Sequence, residues 1–261
     1  MPIKIEPFWL PKHGLTPDEY EDAFWPPGVL VVSDFPVRVA VADGATETTF
    51  SGLWARLLVE AYNDAKSDPS LLETLAPLQA RWLKEATAKP LPWYAEAKLE
   101  QGAFAALVGI TLSATQGNTR GEWAAYAVGD SCVFQLRGND LIARFPLSEF
   151  TAFDNRPLLV SSVQANNRKL EAAEQRASGD WQVGDVFYLM TDAFACWFLR
   201  TWDALSQDGT RQEFVDQLHA ISDQESFEAF VMEQGNQGQS KDDSFLRNDD
   251  QTFVRCHIEA D

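Results

Sequence analysis

Cysteine is scarce in this 261-residue chain, basic residues are outnumbered, and long apolar runs are missing. Cys132, Cys196 and Cys256 lie far apart and form no C-x-x-C pair, the usage of a reduced compartment with buried thiols. The 21 Lys and Arg face 39 Asp and Glu, a formal net charge of −18. That balance makes nucleic-acid backbones and anionic membrane surfaces poor partners. No apolar stretch approaches eighteen residues, and "MPIKIEPFWLPKHG" has no apolar core of a signal peptide. A cytoplasmic protein is expected, with neither nucleic acid nor membrane as partner.

What is abundant is core material. A hydrophobic fraction of 45%, with nine Trp and seventeen Phe, is that of a packed protein. "GVLVVSD" (28–34) and "VRVAVAD" (37–43) read as strands joined by a hairpin through Ser33-Asp34-Phe35-Pro36. Phe50, Leu53, Trp54, Leu57, Leu58 and Ala61 then fall on one helical face. Ser70-Leu71-Leu72-Glu73 has the capping-box form and opens a second helix carrying Leu75, Leu78 and Trp82. Pro90 and Pro92 end it, and a third helix is expected from Trp93 towards Ala106.

Strands follow at 109–115, 122–130, 131–137 and 141–145, then a polar loop with a marginal helix over 146–180. "GDVFYLMTD" (184–192) is a buried strand, 194–234 is helical, and "QTFVRCHIE" (251–259) is the last strand. Segregated runs of strands and helices predict an α+β layered domain, and no linker divides residues 1–261.

The chemistry sits at strand ends. Asp43-Gly44 ends one apolar strand, Asp192 ends another, and Asp249-Asp250 precede the last. Each alone is an ordinary turn or cap residue. Gathered at one edge of a core they would repel unless a cation sat among them. Oxygen ligands without neighbouring His or Cys point to magnesium or manganese rather than zinc.

"VADGATET", "YAVGDSCVF", "FYLMTDAF", "NDDQTFVRC" and, upstream, "YEDAFWP" resemble, in order and context, the phosphatase 2C (PPM) family of metal-dependent protein Ser/Thr phosphatases, in a divergent bacterial-type form. The resemblance spans about residues 14–258 and implies a four-layer α-β-β-α sandwich of two antiparallel sheets flanked by helices. It implies two Mn2+ or Mg2+ ions, with Asp43 bridging them, the Gly44 carbonyl on the second, and Glu21 serving the second directly or through water. Asp192 and Asp249 would hold the first, so Asp43, Asp192 and Asp249 would act in catalysis through the metals. Asp22 and Asp250 would stand behind them, and Asp130 of "GDS" would serve a third, weaker metal. Such ions, about 3.5–4 Å apart, activate a bridging water as hydroxide for in-line attack on a phosphomonoester. The implied substrate is a phosphorylated Ser/Thr protein, as in signalling opposite a partner kinase, and the implied state is a monomer.

The chain departs from the family at several places. Ala45 stands where a histidine is usual, Ala193 follows Asp192 in place of glycine, and Cys196 replaces a carboxylate that would help Asp130. Pro17 occupies the spacing of a phosphate-holding arginine, for which Lys12 or His13 could substitute. A thiol suits a hard ion poorly, so the third metal site is expected to be empty or weak. The departures keep open a catalytically impaired, phosphatase-like binding or regulatory module. Gly129-Asp130-Ser131 with Asp216-Gln217-Leu218-His219 also has the form of a GDSL-type esterase.

Overall fold

The structure is a computed structural model. It describes every residue except Glu47, 66–70, 91–92, 116–118, 154–155, 206–208, 237–245 and 261, and the backbone alone of 71–73, 93–95 and 97. The capping box at Ser70 to Glu73 falls outside the described residues. Strands numbered along the chain begin with β1 (Ile3–Leu10), β2 (Ala23–Trp25), β3 (Leu30–Val32) and β4 (Val37–Gly44). β5 (Phe104–Ala114), β6 (Arg120–Val128), β7 (Cys132–Arg137) and β8 (Asp140–Phe145) follow. The last four are β9 (Val160–Ser161), β10 (Gln175–Gln182), β11 (Asp185–Met190) and β12 (Gln251–Ile258).

These strands form two antiparallel sheets. One runs β3-β1-β12-β11-β7-β8, the other β10-β6-β5-β4-β2 with β9 beside β5. Between them lies an apolar core that includes Ile5, Val39, Val41, Ile110, Leu189 and Val254. The second sheet's outer face is covered by α1 (Ser51–Asp64), α2 (Leu71–Ala86) and α3 (Trp93–Gln101), through residues such as Trp54, Trp82 and Leu99. Past the short α4 (Leu170–Ala173), the helices α5 (Asp192–Ala204), α6 (Thr210–Ala220) and α7 (Gln224–Asn236) cover the first sheet. Phe194, Phe198, Phe214 and Phe227 pack there against Tyr188 and Phe253. The four-layer α-β-β-α sandwich is therefore the architecture. No described helix is long and apolar enough to cross a membrane.

Four local expectations are corrected. β3 pairs with β1 and β4 with β5 and β2, so Ser33–Pro36 crosses between sheets instead of closing a hairpin. The third helix stops at Gln101, because Gly102 takes φ +80°, and the run from Phe104 is a strand. An apolar run buried on both faces carries no period that separates helix from strand. β1 lies hidden in "IKIEPFWL", where Pro7 interrupts the pattern; β3 covers β1 only at Ile3–Ile5, so Pro7 faces the open side. β10, within the segment expected to be loop, is a mostly exposed edge strand on β6 and lacks an apolar stripe.

Strand parity decides what the ends present. Val37, Val39 and Val41 of β4 point into the gap between the sheets, and Asp43 continues that alternation. Phe24 of β2 packs on the same core, which puts Asp22 on that side too. Thr252 precedes Val254 and Cys256 of β12, and Thr191 follows Phe187 and Leu189 of β11. At this one end the apolar filling gives way to carboxylates and hydroxyls.

α1 is seated on β5 by a close fit. A Cβ at Gly109 would lie 2.5 Å from the Tyr62 ring, and the Tyr62 hydroxyl is 3.2 Å from Thr111 Oγ1. Gly109→Ala should therefore lower stability by about 1–3 kcal/mol. Urea unfolding measures this, and an unchanged midpoint would contradict the fit.

Candidate metal centre

β2 and β4 bring the first two carboxylates side by side. Their register pairs Ala23 with Ala42, and one further step sets Asp22 opposite Asp43. Cross-strand neighbours on one face stand about 4.5–5.5 Å apart between Cβ atoms, where like charges destabilise the pair. Burial raises the Asp43 carboxyl well above its ordinary range, and Asp22, Asp192, Asp130 and Asp249 push it further up. Burial does the same to Asp22, with Asp250 and Asp192 adding to it.

The surrounding groups hold each carboxylate differently. Thr252 Oγ1 donates to Asp22 Oδ2 at 2.7 Å, and the hydroxyl of the half-buried Tyr20 meets the same Thr252 oxygen. Burial, and then Asp22, raise the Tyr20 phenol well above its ordinary range. Glu21 accepts from Ser51 Oγ at the start of α1, and its carboxyl is raised by burial. Asp250 is occupied by the backbone: Lys12 N–H donates to Oδ1 at 2.8 Å and Glu21 N–H to Oδ2 at 2.7 Å. It ties the segment carrying Glu21 to the start of β12.

Gly44 is required by contact, since a Cβ there would lie 2.4 Å from the Glu21 carbonyl oxygen. The two backbones touch. Arg247 donates to Asp192 Oδ2, while Lys12 Nζ lies 3.9 Å from Asp249 Oδ1. Burial raises the Asp249 carboxyl first, then Asp192, with Lys12 and Arg247 opposing.

All eight positions singled out in the sequence thus lie at one end of the sandwich: Glu21, Asp22, Asp43, Gly44, Asp130, Asp192, Asp249 and Asp250. Among the described residues, no three His, Cys, Asp or Glu side chains stand in a formed metal-binding array. The donors that converge are nonetheless all oxygen, crowded and mutually repelling, which fits a hard divalent cation. Cys196 is partly buried with its thiol pushed up, 3.8 Å from the Phe150 carbonyl.

The esterase alternative fails on register. Ser131 adjoins Cys132, which lies level with Met190 and Phe253, whereas His219 stacks on His257, level with Val186. Four residues of β11 separate those levels, about 13 Å along the strands. Sequence reasoning missed Thr191, Thr252 and Tyr20, which strand parity and pairing reveal, and Arg247, for which no sequence signal exists. A cavity of 270 Å³ opens beside Asp130, lined in part by Leu147, Ala152, Pro157 and Leu158. A larger one of 610 Å³, around Arg120 and Trp181, lies at the opposite end of β6 and β10.

The protein phosphatase 2C profile matches residues 20–234, and the chain belongs to that family. It is similar in fold to the photosystem II phosphatase PBCP, at 17% identity and TM-score 0.55 over 99% of each chain. It is likewise similar to the Mycobacterium tuberculosis serine/threonine phosphatase PstP/Ppp, at 16% and 0.55 over 100% of each chain. A structure of the PstP catalytic domain in complex with two manganese ions matches at 14% and TM-score 0.51, covering 99% of this chain and 100% of that one. No curated protein shows significant sequence similarity to the chain.

Two carboxylates of this site should respond oppositely in EDTA. Asp250→Ala strands two backbone N–H donors and should cost about 1–3 kcal/mol. Asp43→Asn removes a repelled charge and should leave the protein equally stable or slightly more so. Thermal unfolding of both variants decides; equal losses would mean that the carboxylates do not repel.

Proposed function

We propose that the chain is a metal-dependent protein serine/threonine phosphatase, residues 1–261 acting as one phosphatase 2C-like domain. The observation that carries this reading is the convergence of Glu21, Asp43, Asp192 and Asp249 at one end of the sandwich, in a chain of this family. Glu21, Asp43, the Gly44 carbonyl, Asp192 and Asp249 are the ligands for two Mn2+ or Mg2+ ions. Asp22 and Asp250 act behind them, and Asp130 borders a weaker position. When bound, the ions supply Lewis-acid activation of water and a clamp for phosphoryl oxygens.

The chain's own residues do the positioning. The β4 ladder fixes the Asp43 backbone, so its side chain leaves from a set position before any ligand arrives. Asp250 fixes the Glu21 backbone, and Ser51 orients the Glu21 side chain. Thr252 and Thr191 keep Asp22 in place behind Asp43. The cavity beside Asp130 offers room for a residue next to the phosphorylated side chain. The reading takes a phosphorylated Ser/Thr protein as substrate, a kinase's product among the candidates, with a monomer acting in the cytoplasm.

Ala45, Ala193 and Cys196 favour the second reading, an impaired phosphatase-like regulatory module. A phosphopeptide assay with the full chain separates the two. Turnover should need manganese or magnesium, vanish with EDTA and persist in Ser131→Ala. Asp192→Asn should lose at least the ten- to hundredfold typical of outer-shell partners. Turnover that survives EDTA, or that Ser131→Ala removes, would contradict the phosphatase reading; no turnover with bound metal would favour the module.

A further inference from the structure

Among the described residues, Arg247 is the cation closest to the carboxylate cluster. Leu246 is buried beside it, which anchors the turn. The Arg247 carbonyl accepts from Asp249 N–H and Gln251 Nε2, both at 3.0 Å, so the backbone is fixed at the start of β12. The side chain by contrast is 47% exposed and reaches Asp192 Oδ2 from the solvent side. A guanidinium on a fixed turn with a free stem can change partner without unfolding anything.

We propose that Arg247 is the phosphate-orienting cation of this site, and that it serves as counter-ion to Asp192 until a divalent ion takes that carboxylate. This rests on the phosphatase reading. A divalent ion and a guanidinium compete for the same carboxylate, because each neutralises its charge and occupies its lone pairs. Once displaced, the guanidinium stays at the mouth of the site, tethered by its turn. A phosphomonoester dianion approaching a chain of net charge −18 needs positive charge there beyond the metals. The planar fork of arginine matches two phosphoryl oxygens, which an ammonium cannot. Lys12, 3.9 Å from Asp249, is the weaker alternative. Pro17, which stands at the family's arginine spacing, offers no charge.

The two halves predict shifts of opposite sign. Arg247→Gln removes the competitor, so manganese alone should bind several-fold more tightly by calorimetry. The same variant, loaded with manganese, should bind inorganic phosphate about tenfold more weakly. Arg247→Lys should bind phosphate with intermediate affinity. A purely structural arginine would weaken both ligands or neither, and either pattern overturns the proposal. Tighter manganese with unchanged phosphate also overturns it, since the orienting role is then absent. Wild-type protein that binds manganese and hydrolyses a phosphopeptide keeps the phosphatase reading, whatever Arg247→Gln does. Wild-type protein that binds no manganese overturns that reading, and this inference with it.

Discussion

Two like charges set side by side constrain this molecule more than any other contact. The β2–β4 register continues to Asp22 opposite Asp43, and both carboxyls are pushed well above their ordinary range. Such a pair works against the fold at neutral pH, because each charge opposes the other and burial opposes both. The sandwich would be more stable with apolar residues there. Its remaining contacts at this end can be understood as the means of holding the pair in place.

Several independent devices share that task. Thr252 donates to Asp22, and the Thr252 backbone N–H is itself held by Thr191 Oγ1 at 3.2 Å. Asp250 binds two backbone donors and so locks the Glu21 segment to the start of β12. Gly44 lets the β4 terminus lie against the Glu21 carbonyl, which a side chain would forbid. Arg247 and Lys12 oppose the outer carboxylates from the solvent side. Among the described residues, the cluster is thus hydrogen-bonded at its base and counter-charged at its mouth. That is the arrangement expected where a cation must enter and leave while its ligands stay put.

Much of this was legible in the sequence, for identifiable reasons. Asp43, Asp192 and Asp249 stand out because each interrupts a strongly apolar strand pattern at its end. The layered α+β class follows from the segregation of strands and helices. β10 stayed hidden because an exposed edge strand has no apolar stripe, and β1 because Pro7 breaks its alternation. The start of β5 reads as helix in the sequence because its burial on both faces erases the period. Strand pairing was out of reach, so the meeting of Asp22 with Asp43 and the separation of β3 from β4 required the structure. Arg247 lay beyond sequence reasoning altogether, since its pairing with Asp192 joins positions 55 residues apart.

On the proposed function, a divalent cation relieves the cost of holding these carboxylates together. The thermal unfolding of the wild-type protein, followed as manganese is titrated in after EDTA, tests it most directly. The melting temperature should climb with manganese concentration, reaching a stabilisation of about 2.7 kcal/mol at a hundredfold excess over the dissociation constant. A melting temperature indifferent to manganese across the millimolar range would contradict it.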